Sequence, residues 1–126
     1  MINGAHFLLY STDAEADRAF LTNTLGFQSV DAGGGWLIFA LPPAELAVHP
    51  VSGGAFSQRH ADVDLMGVIL YLMCDDVEAT RATLIAHGVA CTPIQSAEWG
   101  RFTTLRLPSG GSVGLYQPAH PVAIGS

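Results

Sequence analysis

D-A-E-A-D-R-A-F-L (residues 13–21) and D-V-E-A-T-R-A-T-L (residues 76–84) agree at six of nine positions, 63 residues apart. Each opens on an aspartate, whose carboxylate can accept a backbone N–H at a helix start, and carries a glutamate two residues on. In the first copy Ala16, Ala19, Phe20 and Leu25 recur at helical spacing. Gly26 and Gly88 stand where a C-terminal cap is needed. Two helices are therefore expected, and the fold follows from what surrounds them.

Working outward, A-H-F-L-L-Y (5–10) reads as a strand before the first helix, and V-I-L-Y-L-M-C (68–74) as one before the second. After the first helix come three short strands: F-Q-S-V-D (27–31), W-L-I-F-A-L (36–41) beyond a Gly33-Gly34-Gly35 hairpin turn, and E-L-A-V-H (45–49) beyond Pro42-Pro43. After the second come V-A-C-T-P (89–93), R-F-T-T-L-R-L (101–107) and S-V-G-L-Y-Q (112–117), the last two flanking the turn P-S-G-G. Aspartate, glutamate, alanine and leucine fill many helices, so six identities alone prove little. The shared element order carries more weight, and together they point to an internal duplication. The expectation is one α+β domain over 1–126, built of two tandem βαβββ modules at about 4–50 and 65–118. Residues 51–64 lack periodicity and read as a linker.

Composition bounds the function. Of 126 residues, 49% are hydrophobic and 13% charged, so some apolar surface is expected to be covered in an oligomer. The net charge of −6, with five lysines and arginines in all, argues against nucleic acid. The longest apolar run is too short to span a bilayer, and no basic leader precedes an apolar segment, which reads as a cytoplasmic protein. Cys74 and Cys91 have no paired spacing; Cys74 ends an apolar run and reads as a small core residue, while Cys91 starts or precedes a strand with nothing nearby to lower its pKa. There is no G-x-S-x-G, no cysteine beside a histidine, and no phosphate loop.

The doubled βαβββ order, L-G-F at the end of the first helix, and the ending L-P-S-G-G-S-V-G-L-Y-Q-P (107–118) resemble the vicinal oxygen chelate superfamily. That superfamily includes glyoxalase I, extradiol dioxygenases, methylmalonyl-CoA epimerase, and the fosfomycin- and bleomycin-resistance proteins. Its ending is D-P-D-G-N-x-I-E-L-x-x-P, where this chain has Ser-Gly-Gly for Asp-Gly-Asn. The resemblance spans roughly residues 4–118. It implies paired modules whose curved mixed sheet encloses a cleft, in a homodimer. In metal-dependent members each module supplies a His or Glu from its first strand and a Glu from its last. Carried over, these positions are His6 and Glu45 in the first module, and Ile69 (or Val68) and Gly114 in the second. Half of the implied set has no donor atom, so a divalent metal at His6 and Glu45 would be incompletely held.

His6 and Glu45 are the candidate catalytic residues, as metal ligands or as an acid–base pair needing no ion. As a strand, 45–49 would turn Glu45 and His49 to one face, but about 13 Å apart, too far for one ion. Trp36, Trp99, Tyr71 and Tyr116 are candidate walls for a small-molecule ligand, each with core packing as the alternative. Arg101 could bind a carboxylate bidentately, with a surface ion pair as the alternative. Three functions fit: a metal-dependent lyase, isomerase or dioxygenase, a metal-free resistance-type binding dimer, or a dimer whose cleft chemistry is lost. The resemblance does not choose among them.

Overall fold

Both helices form where the repeated stretches put them. In the computed structural model, which describes residues 6–48 and 57–123, α1 spans Ala14–Asn23 and α2 spans Val77–Ala86. Asp13 Oδ1 accepts the Ala16 N–H at 3.2 Å, and Asp76 Oδ1 accepts the Ala79 N–H at 3.1 Å. Each carboxylate satisfies a donor that the helix itself leaves unpaired, and lies at the positive end of the helix dipole. Both helices close on a glycine of positive φ, 74° at Gly26 and 84° at Gly88. A Cβ disfavours that conformation, which is why glycine follows each helix.

The chain divides into two compact units, one running to Leu41 with Arg106–Ser112 added, the other Pro42–Leu105 with the residues from Val113 onward. In the first, β1 (Ser29–Asp31) pairs antiparallel with β2 (Leu37–Phe39), Asp31 opposite Leu37. The expected triple-glycine turn joins them, and Asp31 Oδ1 ties it down by accepting the N–H groups of Gly33 at 2.7 Å and Gly35 at 3.3 Å. All three glycines have positive φ.

The second unit holds a hairpin, β3 (Ser57–His60) with β4 (Val63–Met66), and a four-stranded sheet of order β5-β8-β7-β6. In that sheet β5 (Tyr71–Met73) runs parallel to β8 (Ser112–Pro118), with Tyr71 opposite Gly114 and Met73 opposite Tyr116. Next, β6 (Gln95–Ala97) runs antiparallel to β7 (Gly100–Arg106), with Glu98 and Trp99 as the turn between them. Alternation sorts the side chains onto two faces. Thr103, Leu105, Val113 and Leu115 are buried, as are Val77 and Leu84 of α2 and Val89 beyond it. Arg101 and Gln117 share the parity of the buried set, and both reach α2. Arg101 Nη2 meets Glu78 Oε1 at 2.5 Å, and the Val77 N–H donates to Gln117 Oε1 at 3.1 Å. The opposite face carries Tyr71, Phe102, Gly114 and Tyr116. The fold class is α+β, as expected.

Some local expectations are corrected. The linker expected at 51–64 ends in an ordered hairpin, β3–β4, whose turn residues Ala61 and Asp62 have φ of 50° and 63°. Two successive positive φ values make a turn whose twist suits paired strands, and an Arg59–Asp64 ion pair at 3.2 Å crosses the ladder. Residues 6–10 and 45–48, expected as strands, lie outside any strand. Alternation supplies faces, but a strand also needs a partner backbone to bond. His49 lies outside the described residues. Residues 89–93 form no full strand: Cys91 makes a single bridge opposite Leu105, and the Thr92 N–H donates to the Thr104 carbonyl at 3.1 Å. Among the described residues no helix is long and apolar enough to cross a membrane.

Candidate functional site

Three rings meet on the sheet face opposite α2. Tyr71 starts β5, Tyr116 lies two residues beyond Gly114 on β8, and Trp99 sits at the tip of the β6–β7 turn. Their centroids are mutually close: Tyr71 to Tyr116 5.4 Å, Trp99 to Tyr116 5.6 Å, and Tyr71 to Trp99 5.8 Å. All three pairs are edge-to-face, with interplanar angles of 68–76°. Such pairs contribute about 0.5–1.5 kcal/mol each beyond the area they bury. Phe102 stacks behind Trp99 at 4.8 Å. The Trp99 carbonyl accepts the Ala119 N–H at 2.9 Å, fixing the turn to the chain leaving β8. Tyr71 is still 37% exposed and Trp99 41%, so the rings pack on one another and also face solvent.

Two glycines stand close against these rings. A Cβ built on Gly114 would collide with the Tyr71 ring at Cδ1 and Cε1. One built on Gly100 would run into the Gln117 carbonyl and come within 3.2 Å of Tyr116 Cδ2.

A polar edge adjoins the rings. The Tyr116 hydroxyl lies 3.1 Å from His120 Nε2, and His120 Nδ1 lies 2.8 Å from the Pro121 carbonyl oxygen. A carbonyl can only accept, so Nδ1 carries a proton, and in the neutral imidazole Nε2 accepts from the Tyr116 O–H. Glu45 Oε1 stands 3.9 Å from Nε2, while Glu45 Oε2 accepts the Ala123 N–H at 2.7 Å. Burial, and then the negative charge of Glu45, push the Tyr116 phenol above its ordinary pKa, so it remains a hydroxyl at neutral pH. The arrangement can donate and accept hydrogen bonds at the margin of an apolar surface, and can hold a proton between Tyr116 and His120.

Arg101 is on the helix side of the sheet, occupied by Glu78, because its parity in β7 is that of the buried residues. This is the ion pair named above as the alternative to ligand binding. Trp36 and His6 belong to the first unit. There the Arg18 guanidinium covers the Trp36 ring at 4.8 Å, and His6 is exposed. Burial pushes both cysteine thiols up, away from the reactive thiolate; at Cys74 the charge of Asp75 adds to the effect, and hydrogen bonds from Thr80 and the Asp76 backbone oppose it. Phe102 and His120 are functional-site residues that the sequence does not mark. The signal for His120 was slight: Y-Q-P-A-H-P places it four residues past Tyr116 between two prolines that turn the chain back.

The metal centre implied by the resemblance does not fit these residues. Ile69 and Gly114 offer no donor, and the space at Gly114 belongs to the Tyr71 ring. Glu45 is engaged by Ala123 and faces His120. Among the described residues no three or more His, Cys, Asp or Glu side chains are grouped to hold an ion.

No family model and no curated protein matches the sequence. Solved structures do. TnmS3, an antibiotic binding protein from Streptomyces sp. CB03234, is 27% identical, over 94% of this chain and 99% of that one, with a TM-score of 0.61. A glyoxalase/bleomycin resistance protein from the same organism is 28% identical, over 85% and 93%, with a TM-score of 0.51. Lactoylglutathione lyase from Agrobacterium tumefaciens is similar in fold, with a TM-score of 0.57 at 18% identity over 86% and 88%. With a repeated capped helix, a mixed sheet and these neighbours, the chain carries the vicinal oxygen chelate fold of the glyoxalase/bleomycin resistance/dioxygenase superfamily.

Proposed function

We propose that the protein binds a small organic molecule without a metal, against Tyr71, Trp99 and Tyr116, with the Tyr116–His120–Glu45 edge selecting its polar groups. The observation that carries this reading is the half-exposed ring cluster at the place where the resemblance would put a metal-binding carboxylate. A flat, unsaturated ligand gains most from ring faces and edges, and Tyr and Trp supply contact area at small entropic cost. The antibiotic-binding neighbour at 27% identity supports an antibiotic or similar secondary metabolite as the ligand. Assembly of two copies belongs to the same proposal. Leu46 is 84% and Val48 87% exposed, with Met66 and Ile69 close behind, more apolar surface than a lone domain ordinarily shows to water.

The experiment is a thermal-shift and tryptophan-fluorescence screen of the whole chain against a panel of antibiotics, run with and without EDTA. A true ligand at a hundred times its Kd adds about 2.7 kcal/mol of stability, enough to move Tm by several degrees. Tyr71→Ala or Trp99→Ala should weaken that binding by about 30-fold or more, as loss of an aromatic anchor does. Binding that EDTA abolishes, or that both substitutions leave intact, would sink the proposal.

A further inference from the structure

We infer that Gly114 is the positioning residue of the aromatic wall: the absence of a side chain there seats the Tyr71 ring, and so sets which ligands the site accepts. The inference rests on the reading that the three rings contact ligand. Tyr71 and Gly114 are direct partners across the parallel β5–β8 ladder, on the same face. Partnered side chains on neighbouring strands normally stand side by side. Here one partner has none, and the Tyr71 ring lies over the vacant Cβ position instead of rising beside it. In that posture it meets Tyr116 and Trp99 edge-to-face at once. Gly100 differs: a Cβ there would first strike the Gln117 backbone carbonyl, with Tyr116 Cδ2 farther off at 3.2 Å.

The consequence is chemical. A position that could have carried a donor for a metal or a polar ligand carries a ring, and restoring a side chain there would displace the ring rather than add to the site. Recognition at this point depends on shape and π-surface, and the hydrogen bonding lies at the Tyr116–His120–Glu45 edge.

The test is a four-protein cycle of Gly114→Ala and Tyr71→Ala, in the whole chain carrying Trp36→Phe so that Trp99 is the sole tryptophan. Three quantities are read: Tm, the near-ultraviolet circular dichroism of the ring cluster, and quenching of Trp99 by proflavine at 0.15 M salt. Proflavine is planar and cationic, and that salt concentration screens general attraction to the acidic surface. With Tyr71 present, Gly114→Ala should lower Tm by about 5–10 °C, as overpacking does. With Tyr71→Ala it should change Tm by less than about 2 °C, since the colliding ring is gone. If Gly114→Ala alone does not fold, recovery of the fold in the double variant reports the same coupling. The readout beyond stability is proflavine. Quenching should fall at least tenfold in Gly114→Ala and stay low in the double variant even though its Tm recovers, because the ring is absent. Equal quenching in the parent and in Gly114→Ala, or equal Tm losses from Gly114→Ala with and without Tyr71, would overturn the inference and leave the binding proposal standing. No quenching in the Trp36→Phe parent would remove the ring-recognition reading itself, and the inference with it.

Discussion

α1 and α2 have the same length, the same aspartate cap and the same spacing of Glu, Ala, Arg and Leu, yet they are anchored by opposite chemistry. Val77 of α2 is fully buried and Leu84 is 8% exposed, so that helix is fastened by apolar burial. The one buried residue of α1 is Asp17, also 8% exposed. Its carboxylate accepts hydrogen bonds from Ser11 Oγ at 2.7 Å, from the Ser109 N–H at 2.9 Å and from Ser109 Oγ at 2.7 Å. Thr80 stands at the equivalent place in α2. A repeated sequence pattern thus specifies that a helix forms and where it starts, while its neighbours decide what fastens it.

The comparison can be broken most strongly at its apolar end. Leu84→Ala should cost about 2–4 kcal/mol, the usual range for a core leucine, while Leu21→Ala at the matching position, which is only half-buried, should cost about half as much or less. Urea denaturation of the two variants measures the difference. Equal losses would mean that α1 has an apolar anchor after all.

The second break is at Asp17. Burial alone would raise its carboxyl, but the hydrogen bonds from Ser109 and Ser11 outweigh that and hold the group below its ordinary 3.8. A lowered folded pKa means that the carboxylate's contribution is complete above the unfolded value and is lost as pH falls through the folded one. Asp17→Ala should therefore cost about 1–3 kcal/mol at pH 7, by leaving three donors without their charged acceptor. The gap from the parent protein should hold constant between pH 7 and 5 and narrow only below about pH 4. Acid titration of Tm for both proteins reads this directly, and a gap that narrows near neutrality would assign the pH dependence to another group.

The same contrast explains what could be read in advance. Caps, glycine stops and hairpin turns are local, set by a few neighbouring residues, and so the helices, the Gly33-Gly34-Gly35 turn and the P-S-G-G turn are legible in the sequence. The β3–β4 hairpin escaped because its turn is Ala61 and Asp62, which adopt positive φ without the Asn or Gly that ordinarily signals it. At the site, Tyr71, Trp99, Tyr116 and Glu45 could be picked out as residue types, and Gly114 as a missing donor. Which partner each would meet could not, because the Tyr71–Gly114 pairing is a property of the ladder register and the His120 return is a property of the chain beyond β8. Arg101 shows the same limit: alternation showed that it takes one face of β7, but only the position of Glu78 on α2 says which.

The smallest expected effect sharpens the comparison by testing where the helices are alike. Asp13→Ala and Asp76→Ala each remove one carboxylate that accepts one N–H at a helix start, at nearly equal distances. Each should cost about 1 kcal/mol, the typical worth of an N-cap, and the two losses should agree within about 0.5 kcal/mol. Asp13 has one further tie, its own N–H donating to Ser11 Oγ at 3.0 Å, but that bond uses the backbone and survives the substitution. Asp76 is followed by Val77, whose N–H is held by Gln117 in either protein. Near-equal losses would show that the caps act alike while the anchors differ. A markedly larger loss at Asp76 would mean that the apolar anchor of α2 depends on its cap, so that capping and burial in that helix are coupled rather than additive.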